Sequence, residues 1–307
     1  MITNEIRTKL DKFYTKPEIA KFCFEKLMGV LNFVSVDDMF FIELSAGSGR
    51  LLDSITSKNK IGFDLVPERD DIIQADYLKT KITKYIPSDK ICVAHSNVPF
   101  GKKSEVAIKF INKLLKDCRF VGAIVPVEFN KFSVQSKINK SGKLIHSELL
   151  PSDSFTFGDK DKCVNCCFQI WTTKKTAYKN LRILSKPETS TYDFEMFQYN
   201  ATDAAAKYFT YNWNFAVLRQ GYNSDEFNKK YYSYEELKQV NNHLGKQWMF
   251  LKTTNEDVLK TLLQINFQKL SEKNTSRAKG FGKADVIEEY NKLTTKPKKS
   301  ISKFMKG

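Results

Sequence analysis

The sequence predicts an α/β fold: a doubly wound, mostly parallel sheet over residues 1–175, followed by a smaller C-terminal α+β region. Three observations carry that prediction. Short apolar runs alternate with amphipathic segments through the first 175 residues, which is the pattern of βαβ units. Residues 120–127 form an almost uninterrupted apolar run, as a strand covered on both faces requires. The small-residue turn Ser45-Ala46-Gly47-Ser48-Gly49 separates a strand-like run from a helix-like one.

In chain order, Pro17 opens an amphipathic helix carrying Ile19, Phe22, Cys23 and Leu27. Proline suits the first turn of a helix, where its missing N–H would have no partner. Residues 39–44 read as a strand and 50–57 as the helix after the small-residue turn. Residues 60–64, 72–73 and 90–95 are further strands. Residues 105–115 are helical, with Val106, Phe110 and Leu114 at helical spacing. Residues 143–150 and 163–171 supply two late strands. Lys174-Lys175 and Lys186-Pro187 mark a shift in composition, after which the chain is rich in Tyr, Asn, Phe and Lys. Residues 176–292 are read as a substrate-recognition or interaction region, and 293–307 as a basic tail. Within the former, residues 255–265 suit a helix opened by an Asn or Thr cap.

The apolar fraction of 41% and aromatic fraction of 13% exclude a disordered chain. A net charge of +15 creates a field attractive to polyanions, so nucleic acid, DNA or RNA, is the expected partner. An A/T-rich genome, which favours Lys codons, would give the same excess. Residues 176–292 add the expectation of a protein partner. No apolar run is long enough to span a bilayer, and Met1-Ile2-Thr3-Asn4-Glu5 does not begin a signal peptide. A cytoplasmic protein with reduced thiols is expected. Of the six cysteines, Cys163 and Cys166 have the spacing of a zinc half-site, but no second pair completes four ligands. Residues 164–171 read better as a buried strand in which Cys is a small apolar residue, and no metal is assigned.

The chemistry lies in four segments. The first is Glu43-Leu44-Ser45-Ala46-Gly47-Ser48-Gly49. Its small residues let the backbone turn sharply and let a ligand approach the main chain. Such a turn also occurs in dinucleotide sites, but the third glycine of that pattern is replaced here by Leu52. Glu43, just before the turn, suits a ligand with an ammonium group. The second segment ends in Asp64, placed to accept ribose hydroxyls from the end of a strand. The third carries Asp76, where a carboxylate can accept from an adenine amino group.

The fourth segment is Ser96-Asn97-Val98-Pro99-Phe100-Gly101. An exocyclic amine on a base is a poor nucleophile because its lone pair is delocalised into the ring. The Asn97 side-chain oxygen and the Val98 carbonyl can accept its protons and favour a tetrahedral nitrogen. Pro99 stiffens the turn, and Phe100 can stack on a base taken out of its helix. Farther on, Trp213, Arg219, Tyr222 and Trp248 are candidate stacking or phosphate contacts, or, for the tryptophans, a second small core.

Together these residues resemble the S-adenosylmethionine-dependent amino-methyltransferases that act on N6 of adenine in DNA or RNA, on a Rossmann-like sheet. The segment Phe13-Tyr14-Thr15-Lys16-Pro17-Glu18 looks like the N-terminal cofactor motif of the group in which it precedes the glycine turn. The resemblance implies that Tyr14 and Thr15 contact the methionine part of the cofactor. It places Glu43, Ser45, Ala46, Gly47 and Gly49 in the main cofactor motif, with Asp64, Asp76 and Asn97 completing the cofactor set. Asn97, Val98, Pro99 and Phe100 resemble the catalytic motif (Asp/Asn/Ser)-Pro-Pro-(Tyr/Phe). The similarity covers residues 11–172 and extends to methyltransferase-like proteins of phages and large DNA viruses. These carry a late strand like Phe168-Gln169-Ile170-Trp171, and a viral source would place the protein in a virion or viral factory.

Val98 departs from the pattern, standing where the first proline belongs. That residue contributes a backbone carbonyl, and the ribosomal-RNA adenine dimethylases hold an aliphatic there. Val98 therefore points towards RNA or marks a chain that has lost activity and serves as a nucleic-acid-binding or structural subunit. An oxidoreductase lacks its glycines here, and a cytosine-C5 enzyme would need a Pro-Cys dipeptide, which the sequence does not contain.

Overall fold

The computed structural model describes residues 13–157, 160–221, 226–272 and 279–295. Met1 to Glu5, Asp11, Lys12, Tyr222 and the basic stretch 296–307 lie outside the described residues. The chain divides into two units, Met1–Lys186 and Pro187–Gly307.

The first unit opens with β1 (Tyr14–Thr15), followed by α1 (Pro17–Val30) with proline in its first turn. Next come β2 (Met39–Glu43), α2 (Arg50–Ser54), β3 (Lys60–Asp64), β4 (Ile72–Gln74) and β5 (Ile91–Asn97). They are followed by α3 (Glu105–Asp117), β6 (Phe120–Pro126), α4 (Phe132–Gln135) and β7 (Lys143–Leu149). The last strands are β8 (Phe155–Phe157), β9 (Lys160–Lys162) and β10 (Cys166–Thr172). Helix α2 is shorter than the expected 50–57 because Ile55 turns to extended backbone and is buried.

Seven strands form a mixed, mostly parallel sheet in the order β4-β3-β2-β5-β6-β10-β7. Strands β4, β3, β2, β5 and β6 are parallel, and β10 runs antiparallel to both β6 and β7. From β2 the chain works outward to the β4 edge, then crosses back to place β5 on the other side of β2. The strand order thus reverses between β2 and β5, and a crevice opens beyond the carboxyl ends of such strands.

Alternation along the strands supplies two apolar faces. On one, Phe41, Val93, Ile124, Phe168 and Ile170 pack with Cys23, Phe24 and Leu27 of α1. On the other, Ile42, Ala94, Val121, Val125 and Trp171 pack with Ile111 and Leu114 of α3. Every residue of β6 and β10 is buried; β6 reads as a continuous apolar run, whereas β10 includes the buried polar residues Gln169 and Thr172. Cys166 and Cys167 fall on opposite faces of β10, whereas Cys163 is exposed before it.

A separate small sheet, β1-β8-β9, carries the N-terminal motif. Tyr14 pairs with Thr156 and Thr15 with Phe155. Residues 176–186 stay with the first unit. The Arg182 guanidinium donates to the carbonyls of Gln135, Ile138, Asn139 and Gly142, the open end of the α4 turn.

The second unit is built on β11 (Glu195–Tyr199), β12 (Phe215–Gly221), β13 (Lys230–Tyr231), β14 (Gln247–Lys252) and β15 (Lys279–Gly280). All its strand pairings are antiparallel, in the order β11-β14-β12-β13, with β15 on β12. Between β13 and β14 lies α5 (Tyr234–Lys238). Then come α6 (Glu256–Leu263), capped by the Asn255 side chain, α7 (Phe267–Glu272) and α8 (Lys283–Thr295). Trp213 and Trp248 belong to the aromatic core of this unit. Trp248 donates its indole N–H to the His243 carbonyl. Arg219 donates to Gln247. Among the described residues no helix is long and apolar enough to cross a membrane.

Candidate functional site

A cavity of about 520 Å³ opens at the carboxyl ends of β2, β3 and β5, where the strand order reverses. Its lining includes Tyr14, Thr15, Glu43, Ser45, Ala46, Gly47, Asp64, Asp76, Asn97, Val98, Pro99 and Phe100. Segments far apart in the chain are thus brought to one place. Gly49 is not among the lining residues.

The turn after β2 explains its glycines. Gly47 and Gly49 have φ of +52° and +82°, in the region where a side chain is strained. The Gly47 N–H donates to Asp64 Oδ2 at 2.7 Å, and the Val66 N–H donates to Oδ1 at 2.8 Å. Asp64 therefore holds the turn in shape as well as facing the cavity. A Cβ on Gly49 would lie 2.2 Å from Nη1 of Arg69. Arg69 pairs with Asp53 at 2.7 Å and Asp71 at 2.6 Å, tying the loop after β3 to α2. Gly49 makes room for that clamp.

Glu43 is 1% exposed, and among the described residues its Oε2 accepts no hydrogen bond. Burial pushes its carboxyl well above the usual range, and the nearby Asp64 charge adds to this. Asp76 is more open. It accepts from the Leu78 N–H at 3.1 Å and pairs with Lys79 at 3.3 Å.

The N-terminal strand crosses the site. Tyr14 donates its hydroxyl to Glu68 at 2.5 Å. Arg50 lies 5.5 Å over the Tyr14 ring and donates to the Thr15 carbonyl and the Thr156 hydroxyl.

At the end of β5, the Ser45 hydroxyl donates to the Asn97 main-chain carbonyl at 2.5 Å and lies 3.1 Å from the Ser96 hydroxyl. The Asn97 Nδ2 donates to the Phe13 carbonyl at 3.2 Å and to the Thr15 hydroxyl at 3.3 Å. Its Oδ1 is shielded from solvent and, among the described residues, accepts nothing. Val98 is 1% exposed and its side chain belongs to the core cluster on the α3 face. Phe100 is half-buried against the opposite cluster. Gly101 has φ +66°, and a Cβ there would meet Val106 Cγ2 at 2.4 Å.

The chemical content is two residues lining one cavity, Glu43 and Asn97, each with a buried side-chain oxygen that accepts no hydrogen bond among the described residues. A buried oxygen without a partner is costly. The cavity is therefore suited to an occupant that brings a cation or N–H donors to both. Two contributors lie outside every motif read from the sequence: Glu68 and Arg69 act through Tyr14 and Asp53, partners at least 16 residues away.

No protein-family model matches the sequence, and no curated protein does. Among solved structures, the chain is similar to a type I restriction-modification methyltransferase subunit from Streptococcus thermophilus. The identity is 16% and the TM-score 0.37, over 53% of this chain and 45% of that one. It is also similar to the modification subunit of a candidate type I restriction enzyme from Vibrio vulnificus, at 13% identity and TM-score 0.39, over 55% and 47% of the two chains. A candidate RNA methyltransferase from Pyrococcus horikoshii gives 15% identity and TM-score 0.39, over 53% and 88%. The chain spans about half the length of the two restriction-system subunits.

Proposed function

We propose that the chain is an S-adenosylmethionine-dependent methyltransferase acting on the N6 amino group of adenine in DNA or RNA, built on a doubly wound, Rossmann-like sheet. One observation carries this reading: Asn97, whose solvent-shielded Oδ1 accepts no hydrogen bond among the described residues, lines the same cavity as the glycine turn and Glu43.

The residues present fit the cofactor. Glu43 Oε2 supplies an acceptor for an ammonium group, Gly47 leaves the turn open, and Asp64 and Asp76 offer carboxylates farther along the cavity. Tyr14 and Thr15 close the N-terminal side. When bound, S-adenosylmethionine supplies an electrophilic methyl group on sulfur. Asn97 Oδ1 and the Val98 carbonyl accept from the exocyclic amine, drawing its nitrogen from planar towards tetrahedral and freeing its lone pair. Phe100 stacks on the base, and Pro99 stiffens the turn that presents these groups. Fixed placement of the amine, with no covalent enzyme intermediate, supplies most of the rate.

The excess of basic residues attracts the nucleic acid, and residues 176–292 are assigned to substrate or protein recognition. The motif similarity makes the cytoplasm, a virion or a viral factory the expected place of action. Val98 gives the alternative its footing: with its side chain in the core instead of a stiffening proline, the fold serves as a nucleic-acid-binding or structural subunit.

Calorimetric titration with S-adenosylmethionine and its demethylated product, followed by radiolabelled methyl transfer to unmethylated DNA and RNA, tests the proposal. Binding with transfer to adenine supports it. Binding without transfer selects the alternative, and no binding to folded protein removes the cofactor assignment.

A further inference from the structure

The N-terminal strand touches more than the glycine turn. Both hydrogens of the Asn97 side-chain amide are taken up by it: Nδ2 donates to the Phe13 carbonyl at 3.2 Å and to the Thr15 hydroxyl at 3.3 Å. An amide rotated by half a turn would set Oδ1 against the Phe13 carbonyl, acceptor facing acceptor, and would forfeit both bonds. Each neutral hydrogen bond biases such an equilibrium by about fivefold.

Thr15 itself is held from several sides. It is 2% exposed, pairs with Phe155 in the small sheet, and its carbonyl accepts from Arg50. The next residue, Lys16, donates its N–H to the Ser154 carbonyl and forms ion pairs with Asp153 and Asp161. The strand is therefore a fixed rail beside Asn97.

We infer that Thr15, with the Phe13 carbonyl, is a positioning residue that locks the Asn97 amide with its oxygen turned to the substrate amine. The inference rests on the proposed role of Asn97 and adds a second task for the segment that the motif resemblance assigns to the cofactor alone. Thr15 acts through Asn97: it keeps an acceptor, not a donor, facing the cavity. This also selects the substrate, because the occupant must present N–H groups where Oδ1 waits.

The test uses the full 15N-labelled chain and reads the Asn97 side-chain amide directly, without a need for turnover. Its pair of resonances is the one lost in Asn97→Ala. Thr15→Val, which keeps the shape and removes the hydroxyl, should shift that pair and speed its hydrogen exchange. Thr15→Ser should restore both. In methyl transfer from S-adenosylmethionine to unmethylated DNA or RNA, Thr15→Val should lower kcat about five- to tenfold with KM for the cofactor within about twofold, and Thr15→Ser should recover most of the loss. An Asn97 pair unmoved by Thr15→Val overturns the lock. So does a change confined to cofactor KM, which would make Thr15 a cofactor contact only. Undiminished turnover by Asn97→Ala instead overturns the catalytic role of Asn97, while the amide spectrum still decides the contact.

Discussion

The Ser45 hydroxyl donates to the main-chain carbonyl of Asn97 at 2.5 Å. One bond thereby joins the glycine turn after β2 to the turn after β5, across the point where the strand order reverses. In the proposed enzyme these turns hold the methyl donor and the methyl acceptor, so the bond sets the distance between the two reactants.

Ser45→Ala should therefore damage catalysis more than folding. A neutral hydrogen bond contributes about 1 kcal/mol to stability, which a urea titration would detect as a small shift in midpoint. Single-turnover methyl transfer should fall by about tenfold or more, because positioning errors act on the barrier itself. An equal loss in both measurements would make Ser45 merely structural.

Asp64 illustrates how a site residue does two jobs. Its two oxygens accept from the Gly47 and Val66 N–H groups, so it shapes the turn before any ligand arrives. Asp64→Ala should weaken cofactor binding and also destabilise the fold by roughly 1–3 kcal/mol, the cost of leaving a buried donor unsatisfied. Calorimetry and urea denaturation on the same variant check both. Unchanged affinity in a destabilised protein would leave Asp64 with the turn alone.

The contrast with Asp64 shows what a sequence makes legible. Local signals were enough for the run that became β6, the Asn255 cap and the strand-end positions of Glu43, Asp64 and Asn97, because each depends on neighbours within a few residues. Ser45 to Asn97, Arg50 to Thr156 and Asn97 to Thr15 span 52, 106 and 82 residues and leave no periodicity to read. The two-residue β1 is too short for alternation to register. In the second unit, β14 buries four successive residues, Trp248 to Leu251, so its pattern hides which face is which. Lys174-Lys175 resembles a boundary in composition, yet Arg182 ties the chain beyond it to the α4 turn.

His95 gives the protein an acid-sensitive core. It is fully buried between the rings of Phe24 and Phe168, and burial lowers its pKa to about 3. In the unfolded chain it titrates near 6.5. Below that pH the unfolded state binds a proton that the folded state refuses. Stability present above pH 6.5 is then lost as the pH falls towards 3, at up to about 1.4 kcal/mol per pH unit from this group. Unfolding free energies from urea titrations at pH 7.5 and 5 should differ by about 2 kcal/mol more in the wild type than in His95→Gln, which cannot titrate. Equal slopes would mean that His95 takes up its proton without opening the core.

Glu43 turns the same physics towards the ligand, with burial now raising the pKa instead of lowering it. Its buried carboxyl is held well above the usual range, chiefly by desolvation. In the empty cavity it is therefore neutral up to a higher pH than an ordinary carboxylate. An ammonium group beside Oε2 favours the charged form, so binding should expel a proton from Glu43 at pH values between its ligand-bound and its empty-state pKa, and affinity should rise with pH through that window. Calorimetric titration of S-adenosylmethionine in two buffers of different ionisation enthalpy measures the protons released. Release that disappears in Glu43→Gln, together with weaker binding, places the ammonium group at Glu43. If Glu43→Gln binds as well as the wild type and releases as many protons, the ammonium is held elsewhere in the cavity, and Glu43 serves only to support the turn above it.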